Sequence, residues 1–444
     1  MEKKVTIIGG GLAGCEAAYQ ATRLGLKADL REMKPVRFSP AHVMEGLAEL
    51  VCSNSLKSED LSNGPGLLKG EMKVLGSLII EAAYSTRVPA GKTLAVDRAA
   101  FSRFITGRLE EMGVEVIREE AASVPSVRPL IIATGPLTSD AFAAAIKGLV
   151  GGTPDGERLY FYDAVSPIVF RDSIDMERAF FASRYGKGGA DYINCPLDEE
   201  EYRAFMEALL RADRAGSRPF EGEPLFEGCL PIEAMAQRGP DTLRFGPMKP
   251  VGLINPGTGK RPHAVVQLRS ENREGTLYNI VGFQTRLTYH EQKRVFSLIP
   301  ALKRAEFARF GKMHRNTYID SPRLLNGSSE LRSNPGVFFA GQITGVEGYL
   351  ESAASGLIAG INAARFAKGL PVSSPPRDTM TGALLNYVSS AGGRFEPMNA
   401  NFGLLPEGLF AVRDKERRRE AQARRALEAI ERWGNEILAT SSSI

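Results

Sequence analysis

Val5-Thr6-Ile7-Ile8-Gly9-Gly10-Gly11-Leu12-Ala13-Gly14 is the stretch on which the reading of this chain turns. Val5 to Ile8, apolar but for Thr6, reads as a buried strand of a parallel sheet. Gly9, Gly11 and Gly14 then follow in the spacing GxGxxG, and Cys15 to Leu24 reads as a helix ended by Gly25. Lys27 to Arg31 reads as a second strand with Glu32 at its end. In such a turn the first glycine permits a tight bend, the second lets backbone approach a diphosphate, and the third lets helix and strand pack closely. The diphosphate meets the unpaired N–H groups of the helix N-terminus. Glu32 stands where an acid accepts hydrogen bonds from an adenosine ribose. The order strand, glycine turn, helix, strand, acid predicts a dinucleotide site formed by Gly9, Gly10, Gly11, Leu12, Ala13, Gly14 and Glu32.

Two later segments decide which dinucleotide. Leu130-Ile-Ile-Ala-Thr-Gly135 and Val337-Phe-Phe-Ala-Gly341 each read as a buried strand ending in glycine. Gln342–Gly348 forms a second glycine-rich loop, followed by a small-residue helix over Ala353–Phe366. A nicotinamide domain does not need these parts, whereas a two-part FAD site does. The ligand expected at the glycine loop is therefore FAD, with Gly135, Gly341, Gln342, Gly345 and Gly348 towards its flavin end. The fold class expected is α/β: a Rossmann-like FAD-binding domain of the glutathione-reductase kind over 1–155 and 296–370. Residues 156–295 mix short β-like pieces with a polar helix near Asp198–Ala212 and read as an inserted α+β substrate domain. Residues 35–95, rich in Gly, Pro, Ser and Asn, read as loop-dominated. Residues 371–444 read as a linker, Pro/Ser-rich over 368–382, and a basic helical tail.

Composition narrows the function classes. The 444 residues suit two or three domains of about 150 residues each. With 43% hydrophobic and 24% charged residues, the chain has the make-up of a globular enzyme. No apolar run reaches 18 residues, so no transmembrane helix is expected. Met1-Glu-Lys-Lys4 leads straight into a short strand, which does not read as a signal peptide, and a cytoplasmic location is expected. The four cysteines, at 15, 52, 195 and 229, form no CxxC pair, which argues against structural zinc or a dithiol pair, and no metal site is expected. Isolated thiols in such a chain are either packing residues or nucleophiles. The net charge of +4 permits an anionic partner without requiring one. Arg413–Arg432 holds eight Lys/Arg against five Asp/Glu. Its clusters Arg417–Arg419 and Arg424–Arg425 can share a helix face for phosphates, or make a solvated helix laced with ion pairs.

Longer segments carry a family likeness. Besides Gly9–Gly14 they are Val51-Cys-Ser-Asn-Ser-Leu-Lys57, Ala190–Pro196, Phe226-Glu-Gly-Cys-Leu-Pro-Ile-Glu233, Arg244–Pro250 and Ala340–Tyr349. Across these the chain resembles the bacterial flavin- and folate-dependent tRNA uracil-5-methyltransferases over nearly its whole length. The glycine loops are common to many flavoproteins, and the Cys52 and Cys229 segments are the specific part. The resemblance implies methylation of a T-loop uridine in tRNA, giving ribothymidine. It also implies 5,10-methylenetetrahydrofolate as carbon donor, and NAD(P)H as source of reducing equivalents passed through FAD.

That chemistry has a physical logic. C5 of uracil is a weak nucleophile until a thiolate adds at C6, so a cysteine is needed, and it must react as thiolate. The resemblance makes Cys52 and Cys229 the pair, one to attack C6 and the other to act as acid or base or to manage the flavin–carbon intermediate, and leaves open which does which. Lys57 lies near Cys52 in sequence, and Arg238 and Arg244 follow Cys229. Cys15 and Cys195 read as packing residues. For folate, Phe283–His290 offers Arg286 for the glutamate tail and His290 to stack on the pterin. Three other readings compete. One is the related flavoprotein that makes carboxymethylaminomethyl-uridine at the wobble position. Another is an NAD(P)H-dependent flavin oxidoreductase acting on a small molecule. The third is a flavin-binding partner protein without catalysis. The absence of CxxC and of a second GxGxxG counts against the common disulfide-reductase type and leaves the NAD(P)H site unlocated.

Overall fold

The computed structural model describes residues 3–150, 159–164, 166–186, 189–215, 230–392, 395–406 and 414–442. The chain opens with strand β1 (Lys4–Ile8), helix α1 (Leu12–Arg23) and strand β2 (Lys27–Glu32). β1 pairs parallel to β2, Val5 and Ile7 being wholly buried, as expected of a strand covered on both faces. The next stretch is not loop-dominated. It holds β3 (Ser55–Ser58), α2 (Gly64–Val74), α3 (Leu78–Ser85), β4 (Arg87–Val88) and β5 (Thr93–Val96), with β3, β5 and β4 forming a small sheet. Gly64-Pro65-Gly66, which suggests a loop in sequence, is the first turn of α2, where proline is welcome because its missing N–H has no helical partner. Helix α4 (Arg98–Glu111), strands β6 (Glu115–Arg118) and β7 (Leu130–Ile132), and helix α5 (Asp140–Leu149) complete this half.

A second unit follows. Its elements are β8 (Leu159–Ala164), β9 (Ile168–Phe170), β10 (Phe180–Phe181), β11 (Tyr192–Leu197), α6 (Glu199–Arg211), α7 (Ile232–Ala236) and α8 (Thr242–Phe245). They are followed by β12 (Ala264–Ser270), β13 (Leu277–Ile280), α9 (Tyr289–Phe296), β14 (Phe307–Arg309) and β15 (Met313–Tyr318). Six strands form an antiparallel sheet in the order β10-β11-β12-β13-β9-β14. The polar helix α6 starts at a capping box of Asp198 and Glu201 and buries Tyr202, Phe205, Met206 and Leu209 on one face. β8 and β15, which leave and re-enter the parallel-sheet unit, pair antiparallel. The expected boundary at 155 lies outside the described residues. That at 295 falls inside α9, and the same sheet gains β14 beyond it.

The chain then returns through α10 (Ser321–Leu324), β16 (Val337–Phe339) and α11 (Tyr349–Ala367). β16 joins the parallel sheet, whose order is β16-β7-β1-β2-β6. The expected Rossmann-like architecture is thus present. Small residues let α11 cross α1 with their backbones touching: a Cβ at Gly356 would lie 2.1 Å from the Ala13 carbonyl oxygen. The C-terminal part is α12 (Met380–Ser390) and α13 (Lys415–Ser442). α13 is no loose tail, since Ala423, Ala426, Ile430, Trp433 and Ile437 are buried in the same core as β1 and α1. Their three- and four-residue spacing is an apolar stripe that the arginines around it conceal in sequence. Among the described residues no helix is long and apolar enough to cross a membrane, and no group of three His, Cys, Asp or Glu side chains could hold a metal ion.

Candidate functional site

The glycine loop forms the floor of a cleft at the carboxyl ends of the parallel strands, where α/β folds bind ligands. Gly9 has a φ of +107° and its N–H donates to the Arg31 carbonyl at 2.8 Å. A Cβ at Gly14 would lie 1.8 Å from the Gly9 carbonyl oxygen, so only glycine lets α1 start this close to the turn. Glu32 is buried; one carboxylate oxygen accepts from the Gly10 N–H at 2.7 Å and the other from the Lys34 N–H at 3.0 Å. The same side chain lines the cleft, together with Gly9 to Ala13, Ala133 to Ser139, Gly341 and Gln342. Gly11 caps α1 without a side-chain partner for the helix N–H groups, and a Cβ there would meet nothing within 4 Å. Open backbone at a helix N-terminus is what a dinucleotide diphosphate requires, so these residues fit FAD.

The second glycine loop lies across the cleft. The Gly341 N–H donates to Ser355 Oγ at 2.7 Å, and Gln342 Nε2 donates to both Glu347 oxygens at 3.0 Å. Gly135, Gly341 and Gln342 line the cleft. Gly345 and Gly348 shape the loop behind it, against the Phe395 ring and the Glu351 carboxylate.

Cys52 stands at this end of the cleft. Its neighbour Val51 lines the cleft, as does Tyr349, the first residue of α11. Tyr349 Oη accepts from the backbone N–H of Cys52 at 2.8 Å and of Ser53 at 3.2 Å, and lies 3.0 Å from Cys52 Sγ. Two amides occupy the oxygen's lone pairs, which leaves the hydroxyl proton to point at sulfur. Burial, reinforced by Cys52, holds the Tyr349 phenol well above its ordinary value of 10, so it keeps that proton at neutral pH. The charges of Arg98, Arg269 and Arg309 also act on Cys52. Arg98 is fixed by the Leu50 carbonyl at 2.6 Å and by Glu271, also at 2.6 Å. Arg269 donates to Ser53 Oγ at 2.8 Å and Asn54 Oδ1 at 3.0 Å. Burial pushes the Arg269 and Arg309 guanidiniums down, and Arg98 adds to the pressure on Arg309. Clustered, desolvated cations of this kind suit an anion, whether thiolate, pyrimidine enolate or phosphate.

The other expected residues divide. Lys57, near Cys52 in sequence, pairs its ammonium with the buried Glu351 at 3.0 Å. Cys229 lies outside the described residues. Leading away from it, the Ile232 N–H donates to the Gln284 carbonyl at 2.7 Å, and the buried Glu233 accepts from Thr285 Oγ1 and the Arg286 N–H, both at 2.9 Å. Arg286 sits beside Glu233, its guanidinium pushed down by burial and by Arg214. Arg244 is engaged by Asp241 at 2.7 Å and the His263 carbonyl at 3.0 Å. His290 is exposed on α9 and lines a different groove, among Lys293, Phe307 and Phe310. The structure does not bring it to the glycine-loop cleft. Cys15, whose Sγ donates to the Gly10 carbonyl at 3.3 Å, and Cys195, in β11, are both buried, and burial pushes both thiols up. Sequence reasoning missed Tyr349 and the three arginines. Tyr349 carried a faint signal, an aromatic ring directly after a glycine loop. The arginines lie on three distant segments and carried none.

Known proteins resemble this chain over most of its length. The family model described as glucose inhibited division protein A matches residues 4–371. A methylenetetrahydrofolate–tRNA-(uracil-5-)-methyltransferase TrmFO from Geotalea uraniireducens is 58% identical over 98% of this chain and all of its own length. The protein of the same name from Aquifex aeolicus is 55% identical over 98% of this chain and 97% of its own. Among solved structures, GidA of Aquifex aeolicus in its form II crystal superposes with a TM-score of 0.72 at 18% identity. That match covers 98% of this chain and 74% of the other, and at such identity it speaks for the fold alone.

Proposed function

The chain belongs to the methylenetetrahydrofolate–tRNA-(uracil-5-)-methyltransferase (TrmFO) family within the GidA family, and from that premise we propose that it methylates C5 of a T-loop uridine in tRNA. The carbon donor in this reading is 5,10-methylenetetrahydrofolate. FAD bound in the cleft supplies hydride and one-carbon transfer chemistry, reduced at the expense of NAD(P)H. The observation that carries the reading is Cys52 beside a dinucleotide cleft, with the Tyr349 hydroxyl 3.0 Å from its sulfur and Arg98 and Arg269 bonded to the residues on either side of it. This setting suits a thiol that works singly beside a flavin, whereas a disulfide reductase needs a CxxC pair, which this sequence lacks.

Two thiol roles are required, addition at uracil C6 and proton handling at C5, and they fall to Cys52 and Cys229. The glycine loop and the N-terminus of α1 hold the diphosphate, and Glu32 the adenosine ribose. Arg98 and Arg269 hold the Leu50–Asn54 segment in place, so the sulfur is positioned before substrate arrives. Arg286, which sits beside Glu233, is the candidate for the folate glutamate.

The test is direct. Purified flavin-loaded protein, incubated with unmodified tRNA, methylenetetrahydrofolate and NADPH, yields 5-methyluridine at the T-loop position; no product overturns the proposal. Cys52→Ala and Cys229→Ala each lose the product while keeping bound flavin, and full activity in both removes the thiol assignment. An RNA carrying 5-fluorouridine at the target separates the roles, because the variant that forms no covalent adduct lacks the nucleophile.

A further inference from the structure

The groove that holds His290 is unlike the rest of the surface. It runs between α9 and the edge strand β14 of the inserted unit. Three rings form a nearly parallel column along it. Tyr289 and Phe310 have centroids 4.8 Å apart at 20°, and Phe310 and Phe307 5.0 Å apart at 15°. Tyr289, at the end of the column, is 48% exposed, and Phe170 at the rim is 40% exposed. Exposed rings normally gather aliphatic neighbours or a partner protein, but these are ringed by cations. The Lys293 and Lys312 ammoniums each lie 5.7 Å from a ring centroid, over Phe310 and Tyr289. Lys303 and Arg304 are exposed along the groove and form no ion pair among the described residues. Arg294 is neutralised by Glu291 at 2.6 Å, and Glu306 is the one acid among the described lining residues.

Stacked rings with unpaired cations match one class of ligand. An unstacked nucleotide offers a flat face to the exposed ring at the end of the column and its neighbouring phosphates to the cations. A protein partner would need both an acidic and an apolar surface in register, and duplex RNA keeps its base faces covered. Location adds to the argument. Arg309 lies two residues beyond Phe307 on β14, about 7 Å along the strand. Its charge acts on Cys52 and Tyr349. One short strand thus ties the column of rings to the reacting thiol. A uridine that presents C5 and C6 to a thiol must already have left its stack, so the RNA beside it is opened.

We propose that this groove is an RNA-docking platform, on which an unstacked base of the substrate RNA stacks on Tyr289, at the end of the Tyr289–Phe310–Phe307 column, with the phosphates beside it held by Lys293, Lys303 and Arg304. The proposal rests on the tRNA-methylating reading above and assigns a surface to it. Charge and stacking can be separated by experiment. Titration of unmodified tRNA against the holoprotein over a range of salt concentrations gives Kd and its salt slope. Lys303→Ala combined with Arg304→Ala removes two phosphate contacts and flattens the slope by about 1.4, at 0.7 per contact for a single strand. Tyr289→Ala weakens binding roughly ten-fold at every salt concentration and leaves the slope unchanged. In the methylation assay both variants raise KM for tRNA far more than they lower kcat. Their flavin absorbance and Tm report an intact fold. Wild-type Kd and slope in both variants, with methylation intact in the wild type, overturn the platform alone. A wild-type protein that binds tRNA through these residues but makes no 5-methyluridine overturns the functional reading alone.

Discussion

The contact between Cys52 and Tyr349 is where the chemistry becomes local. The phenol is locked by two backbone N–H donors, so its proton is committed to the sulfur. Tyr349→Phe removes that donor and leaves both amides without their acceptor. Iodoacetamide alkylation of Cys52 at pH 7 is expected to slow by about ten-fold, the size of one hydrogen bond to a charged group. Its pH–rate profile should move to higher pH, since the anion has lost a stabilising partner. Flavin content is expected to stay unchanged; an unaltered alkylation profile removes Tyr349 from the site. Cys15 is the internal control, because a wholly buried thiol should not be labelled in the folded protein. Gly14→Ala tests the opposite end of the cleft. Its Cβ cannot coexist with the Gly9 carbonyl at 1.8 Å, so the turn must open, and the purified variant is expected to lack FAD absorbance.

Between elements, buried carboxylates act as clamps on helix N-termini. Glu16 on α1 accepts from Ser77 Oγ at 2.7 Å and the Ile79 N–H at 2.9 Å, at the start of α3. Glu71 on α2 accepts from the Met380 N–H at 2.6 Å, the Thr381 N–H at 2.8 Å and Thr381 Oγ1 at 2.7 Å, at the start of α12. Each satisfies N–H groups that a helix leaves unpaired in its first turn, with the helix dipole adding to the attraction. Burial pushes the Glu71 carboxyl up to about 7 from its ordinary 4.5. Its folded pKa lies above its unfolded one, so its pH-linked stabilisation is complete below about 4.5 and is lost as pH rises through about 7. Glu71→Gln has no such titration. Denaturant unfolding from pH 4.5 to 7 is therefore expected to show the gap between wild type and variant narrowing as pH rises. A constant gap means that Glu71 does not titrate there.

At the scale of the whole molecule, the C-terminal helix belongs to the flavin-binding body. α13 lies along α2 and buries Trp433, whose Nε1 donates to Ser373 Oγ at 3.0 Å. Trp433→Ala is expected to cost about 3–5 kcal/mol in unfolding free energy, as for other large-to-small core changes. Arg418, exposed on the same helix, is expected to cost less than about 0.5 kcal/mol when changed to Ala. Thermal unfolding followed by flavin release compares the two, and equal effects mean that α13 does not contribute to the core. Two arginines of the basic run are likewise structural. Arg425 pairs with Asp378 at 2.9 Å, and the Arg419 guanidinium lies 5.3 Å from the Phe402 ring centroid. The charge density read along the tail is partly spent on packing, while the exposed cations of the inserted unit stand around aromatic rings.

The amino-acid order alone determined the glycine turn after β1 and the strands at Leu130 and Val337, while Cys52 was singled out by the family resemblance. Each rests on local rules: glycine spacing, apolar runs and a short motif that no change of neighbours alters. It misjudged residues 35–95, where Gly64-Pro65-Gly66 is the first turn of a helix, and the tail, where an apolar stripe lay among arginines. In both, burial against another element decided the outcome, and local composition does not encode burial. Lys57 shows the same limit at the site. Five residues from Cys52 in sequence, it pairs with Glu351, and arginines from the distant positions 98, 269 and 309 add their charge at the sulfur. Electrostatics depends on distance in space, and only the tertiary structure brings a helix start, the end of β12 and the end of β14 around one thiol. The turn at Gly9–Gly14 was legible because its chemistry is contained in ten residues; the setting of Cys52 was not, because it is assembled from segments far apart in the chain.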